Sequence, residues 1–164
     1  MSGSVSRYVA WAAALVAGTA VPSALAAQDV ASRDIAVVVN PHTAVDALSL
    51  DDLRRFFLGE RQFWGDRTRV TLIVLPEGNP VRDVALRVVY RMGEGEYRQY
   101  WVAKIFRADV ATGPKVVYSV EQGRRVVAAT PGAILLLPAD AVDQGLKVVR
   151  IDGHLPGEAG YPLH

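Results

Sequence analysis

The sequence predicts an α/β fold, with helices on the faces of a small sheet. Two observations predict it. Residues 35–39 and 133–137 are short, unbroken apolar runs and 70–75 is apolar but for Thr71, the pattern of strands buried on both faces. The segments between them carry apolar residues at helical spacing, with capping residues at their starts.

Each element follows from local chemistry. The run DIAVVVNP makes a first strand that Asn40-Pro41 stops. Ser49 with Asp52 three residues later reads as a capping box, and Asp51 and Asp52 complement the helix dipole. That helix is expected to run to about Leu58, with Leu53, Phe56 and Phe57 inward and Gly59 closing it. A polar loop with Phe63 and Trp64 leads to the second strand, residues 70–75. After VLPEGNPVRD a helix is expected over residues 80–91, with Asn79 at its cap and Pro80 at the first helical position, where a missing N–H costs nothing. Gly93-Glu94-Gly95 then breaks the chain, and residues 96–106 form a helix with Tyr97, Tyr100, Trp101 and Ile105 on one stripe. Ser119 caps a further helix to about Ala129, residues 133–137 form the third buried strand, and residues 146–151 alternate like an edge strand. The remainder reads as loop.

The first residues are set apart from the fold. Arg7, an apolar stretch to about Val21, Pro22 and the small-residue series Ala24-Leu25-Ala26 make a secretory signal peptide, residues 1–26. The rival, an uncleaved membrane anchor, needs roughly 20 strongly apolar residues, and this stretch is short and rich in Ala and Gly. The expected organisation is a signal over 1–26, a lead over 27–34, one lobe over 35–155 and a tail over 156–164. The expected location is the periplasm or the outside of the cell, with no membrane insertion after cleavage. Beyond residue 26 the chain carries 17 basic and 17 acidic residues, so no basic field draws nucleic acid or anionic lipid. It has no cysteine, so packing alone holds it together in an oxidising compartment.

Catalytic patterns are thin. His42, His154 and His164 sit in loops or the tail without a second metal-type ligand at useful spacing, and no nucleophile elbow or P-loop is present. The chain is read as a non-enzyme that needs no metal or cofactor. The best site candidate is the strand-to-helix turn at 78–82, because ligands of open α/β sheets gather beyond the carboxyl ends of strands. Gly78, Asn79 and Arg82 are the candidate ligand residues for an anion. The competing reading is that Arg82 pairs with Glu77 or Glu94.

The series VVVNP, LSLDDLRRFFLGERQFW, VTLIVLPEGNPVRDVALRVVYRM, YWVAKIF and VAATPGAILLLP resembles the phosphate-binding proteins of ABC transporters, members of the periplasmic binding protein superfamily. It is similar to only one lobe of those two-lobed proteins, over about residues 35–151. The resemblance implies a small, mostly parallel sheet flanked by helices. As partners it implies phosphate or another oxyanion, and a transporter permease or other envelope protein. It also implies a gripping loop with an Arg and a Gly-Ser-Gly-Thr run. Here the Arg position holds Leu75, and the run falls on Gly78, Asn79, Pro80 and Val81, so only its first Gly is kept. Each lost charge-assisted bond is worth roughly 1.5–3 kcal/mol. Two functions follow: an exported binding module with a weak hold on an oxyanion, or an envelope interaction module that kept the fold and lost phosphate.

Overall fold

A computed structural model describes residues 34–164; the expected signal segment and most of the lead lie outside the described residues. The main sheet grows around β1 (Ile35–Val39), every residue of which is buried. After a short β2 (Ala47–Leu48), α1 (Leu50–Phe57) begins at Ser49, whose hydroxyl accepts the Asp52 N–H at 3.0 Å. Leu53, Phe56 and Phe57 are its buried side, and the Gly59 and Glu60 N–H groups close its end on the Phe56 and Arg55 carbonyls. Next come β3 (Thr71–Val74) and α2 (Pro80–Val84), which continues as a π-helical segment, Ala85–Tyr90, before Arg91 turns the chain out in the left-handed region.

The remaining elements are α3 (Glu94–Phe106), β4 (Lys115–Val116), α4 (Val120–Ala129), β5 (Ala133–Pro138), a 3₁₀ turn (Ala139–Ala141), β6 (Lys147–Val148) and β7 (Arg150–Ile151). The five-stranded sheet has the order β4-β3-β5-β1-β6. β3 pairs in parallel with both β4 and β5, whereas β1 runs antiparallel to β5 and β6. Four of the five strands therefore point one way, and β1 alone runs against them. The core strand β5 is buried from Ala133 to Leu137. α4 covers the face that presents Leu135 and Leu137, side chains that reach its Gly123. Strand alternation sends Leu136 to the other face, where it shares a small cavity with Phe57, Val81 and Ala85. Helices thus cover both faces of the sheet.

Several sequence expectations need correction. The 146–151 run is not one strand. β6 extends the main sheet, Val149 turns inward fully buried, and β7 pairs in parallel with β2 in a separate two-stranded sheet. The chain does break before Glu94, between the π-helical segment and α3, but α3 starts two residues earlier than expected, because Gly93 is its N-cap and the helix already includes Glu94 and Gly95. Glu96 reaches back to the Gly93 N–H at 2.9 Å and supplies the cap chemistry that the glycine lacks. On α3, Tyr97 and Trp101 are buried, while Ile105 is exposed with Val102 and Phe106. The loop aromatics also divide. Trp64 is core, stacked 4.4 Å from Phe56, and Phe63 is half exposed. The last residues carry no regular structure but are tied in. Tyr161 and Leu163 are buried, the Tyr161 hydroxyl donates to the Ile35 carbonyl at 2.6 Å, and the Ile35 N–H donates to Leu163 at 2.8 Å.

Candidate ligand-binding turn

The carboxyl ends of β3 and β4 share one sheet edge, where Val74 is in register with Val116 and the Val117 N–H donates to the Val74 carbonyl at 3.0 Å. α2 starts after the first of these strands and α4 after the second, so both helix starts lie on this edge. Asn40 and the 130–132 turn sit at the opposite edge. There the Asn40 amide donates at 2.9 Å to the Val127 and Ala128 carbonyls, satisfying the last turn of α4.

Pro76 ends β3 for want of an N–H, and Gly78 turns the chain at φ 81°, a left-handed conformation that suits glycine. A side-chain carbon at Gly78 would meet nothing within 4 Å, so the turn is open to solvent. Its donors are largely engaged. The Asn79 N–H bonds the Pro76 carbonyl at 3.2 Å, Pro80 has none, and the Val81 N–H donates to the Asn79 side-chain oxygen at 3.0 Å. Asn79 thus already places an oxygen at the start of the helix, where an anion's oxygen would sit.

Arg82 is committed more fully still. Its guanidinium grips Glu94 in a fork, Nε to Oε2 at 2.8 Å and Nη2 to Oε1 at 2.6 Å, while Nη1 donates to the Leu75 carbonyl at 3.2 Å. The same group lies 4.4 Å above the Tyr97 ring, and only 9% of its side chain is exposed. These bonds hold the Glu94 carboxyl below its usual range and push the arginine above its own. Tyr97 in turn meets Tyr90 edge-on at 4.8 Å, and Tyr90 meets Phe57 at 5.8 Å. Burial pushes the Tyr90 hydroxyl well above its ordinary value.

Of the three predicted site residues, the structure therefore brings Gly78 and Asn79 together at an open turn and points the Arg82 guanidinium at Glu94. Of the two partners weighed for Arg82, Glu94 is the one chosen. Glu77 reaches Arg98 instead, at 3.9 Å on the surface. The Tyr97 ring under the arginine was legible only as part of an aromatic stripe. Among the described residues no group of His, Cys, Asp and Glu is placed to hold a metal ion.

No family model matches the chain. Solved structures that share its architecture include three phosphate-transport proteins. One is assigned as a phosphate ABC transporter substrate-binding protein, from Clostridium perfringens, with bound phosphate (16% identity, TM-score 0.62). The second is an ABC-type phosphate transport receptor from Vibrio cholerae (18%, TM-score 0.61), and the third is PstS from Borrelia burgdorferi (13%, TM-score 0.58). Each match covers 75% of this chain. Over the matched part the chain shares the fold of these three structures. The matched part spans 46–49% of the length of those structures, just under half of each. In the described residues no helix is long and apolar enough to cross a membrane.

Proposed function

We propose that the chain is an exported, non-enzymatic lobe of the substrate-binding-protein type. It works with a transporter permease or another envelope protein, and it holds phosphate or a similar oxyanion weakly at Gly78, Asn79 and Arg82. The observation that carries this reading is the fold shared with three phosphate-transport proteins over 75% of the chain, with an open strand-to-helix turn at the carboxyl end of β3. The hold is weak because Glu94 fills the arginine fork and Asn79 fills the cap, so an incoming anion must displace groups already bonded. A single lobe also leaves the ligand open to water on one side.

Calorimetric titration of phosphate into the chain lacking residues 1–26 tests this. The expected dissociation constant is about 1 mM or weaker. Micromolar binding would overturn the weak-site reading. A flat titration, with no rise in melting temperature at tens of millimolar phosphate, would remove the oxyanion from the function.

The second reading, an interaction module that has lost phosphate, is favoured by the Arg82–Glu94 fork, in which the protein supplies its own anion. Its docking face is the carboxyl-end edge, where Tyr118 is 78% exposed beside Val116.

A further inference from the structure

A cavity of about 240 Å³ opens at the other end of β3 and β4, between the chain after α1 and the 110–115 loop. Its charged lining residues are Arg61, Arg69 and Lys115, and no carboxylate lines it. Among the described residues Arg69 and Lys115 have no acidic partner, and Arg61 reaches Asp52 only at 3.5 Å across exposed surface. Asp109, which follows α3, is turned to Arg107 at 3.1 Å. Phe56 and Trp101, both buried, lie in the wall with Val70, Leu72 and Val110, and the Arg61 guanidinium covers the Phe56 ring at 4.9 Å. Trp101 is buried, and its indole N–H has no partner among the described residues. Thr71 and Thr112 also line it.

We infer that this cavity is a second anion site, distinct from the turn at 78–82, for a small organic anion with a small apolar body and a carboxylate or phosphate head. Two guanidinium groups and an ammonium match such a head, which arginine takes in a two-pronged grip. Val70, Leu72 and Val110 in the wall match the body. Pockets for drug-sized ligands run from about 300 to 1,000 Å³, so the ligand here is smaller than those.

Phenyl phosphate, benzoate and inorganic phosphate titrated separately into the chain test the site. Saturable one-to-one binding of at least one aromatic anion is expected, and the tighter of the two identifies the head group. Arg69→Ala and Lys115→Ala, both at exposed positions, should each weaken that binding about tenfold, as for the loss of one charge-assisted contact. Arg98→Ala, at a residue that faces Glu77 and does not line the cavity, should leave it unchanged. No saturable binding of either aromatic anion, or affinities untouched by both Arg69→Ala and Lys115→Ala, would overturn the inference. Inorganic phosphate binding as tightly as phenyl phosphate would overturn the assignment of an apolar body.

Discussion

Glu94→Ala is expected to cost about 3 kcal/mol of folding stability, because it strands a buried guanidinium. Arg82 keeps only the Leu75 carbonyl and the Tyr97 ring once the fork is gone, and with Glu94 in place only 9% of its side chain is exposed. Glu94→Gln should cost less, since the amide oxygen still accepts one of the two bonds. The two variants also separate charge from hydrogen bonding through pH. The folded protein holds the Glu94 carboxyl below its ordinary value near 4.5, so the unfolded chain takes up this proton more readily. The stabilisation is therefore fully present above about pH 5 and falls away as pH drops through the folded value. Urea unfolding at neutral and acid pH should show a larger acid loss in the parent than in Glu94→Gln. Equal losses would mean that the ion pair contributes nothing through its charge.

Gly132→Ala should be about as damaging, at roughly 3 kcal/mol, through steric strain alone. Gly132 has φ 74°, where a side chain is strained, and an added methyl carbon would collide with the Arg69 carbonyl oxygen and crowd Thr68. The Arg69 carbonyl belongs to backbone leading into β3, so it cannot swing aside as a side chain tip would. The Gly132 carbonyl also accepts the Thr71 N–H and the Trp64 indole N–H, both at 3.0 Å, so a displaced backbone loosens the start of the sheet and a core tryptophan together. A midpoint shift in thermal or urea unfolding checks this. A variant as stable as its parent would mean that the 68–70 segment gives way easily.

What was readable in the sequence was the chemistry with short range. Apolar runs placed β1, β3 and β5, and Ser49, Asn79 and Ser119 placed three helix starts, because each depends on the residue and its near neighbours. The strands of two residues, β2, β4, β6 and β7, were hidden or merged, since their pairing is decided by partners far away in the chain. Gly93 marked the break, but Gly95 hid that α3 begins at Glu94, because glycine is a poor helix former. At the candidate turn the backbone geometry was legible from Gly78, Asn79 and Pro80. The choice of Glu94 over Glu77 was not, because it depends on how α3 packs beside α2. The basic cavity went unseen for the same reason: Arg61, Arg69 and Lys115 are scattered in sequence and meet only through the strand ends.

The turn itself is tested most directly by following backbone amide resonances during a phosphate titration. A weak oxyanion site predicts saturable shifts at millimolar phosphate, centred on Gly78, Asn79 and Arg82 and enlarged in Glu94→Gln, where the arginine fork is freed from its carboxylate. Shifts that leave these three amides still while phosphate binds elsewhere, or no shifts at all, would contradict an oxyanion role for this turn.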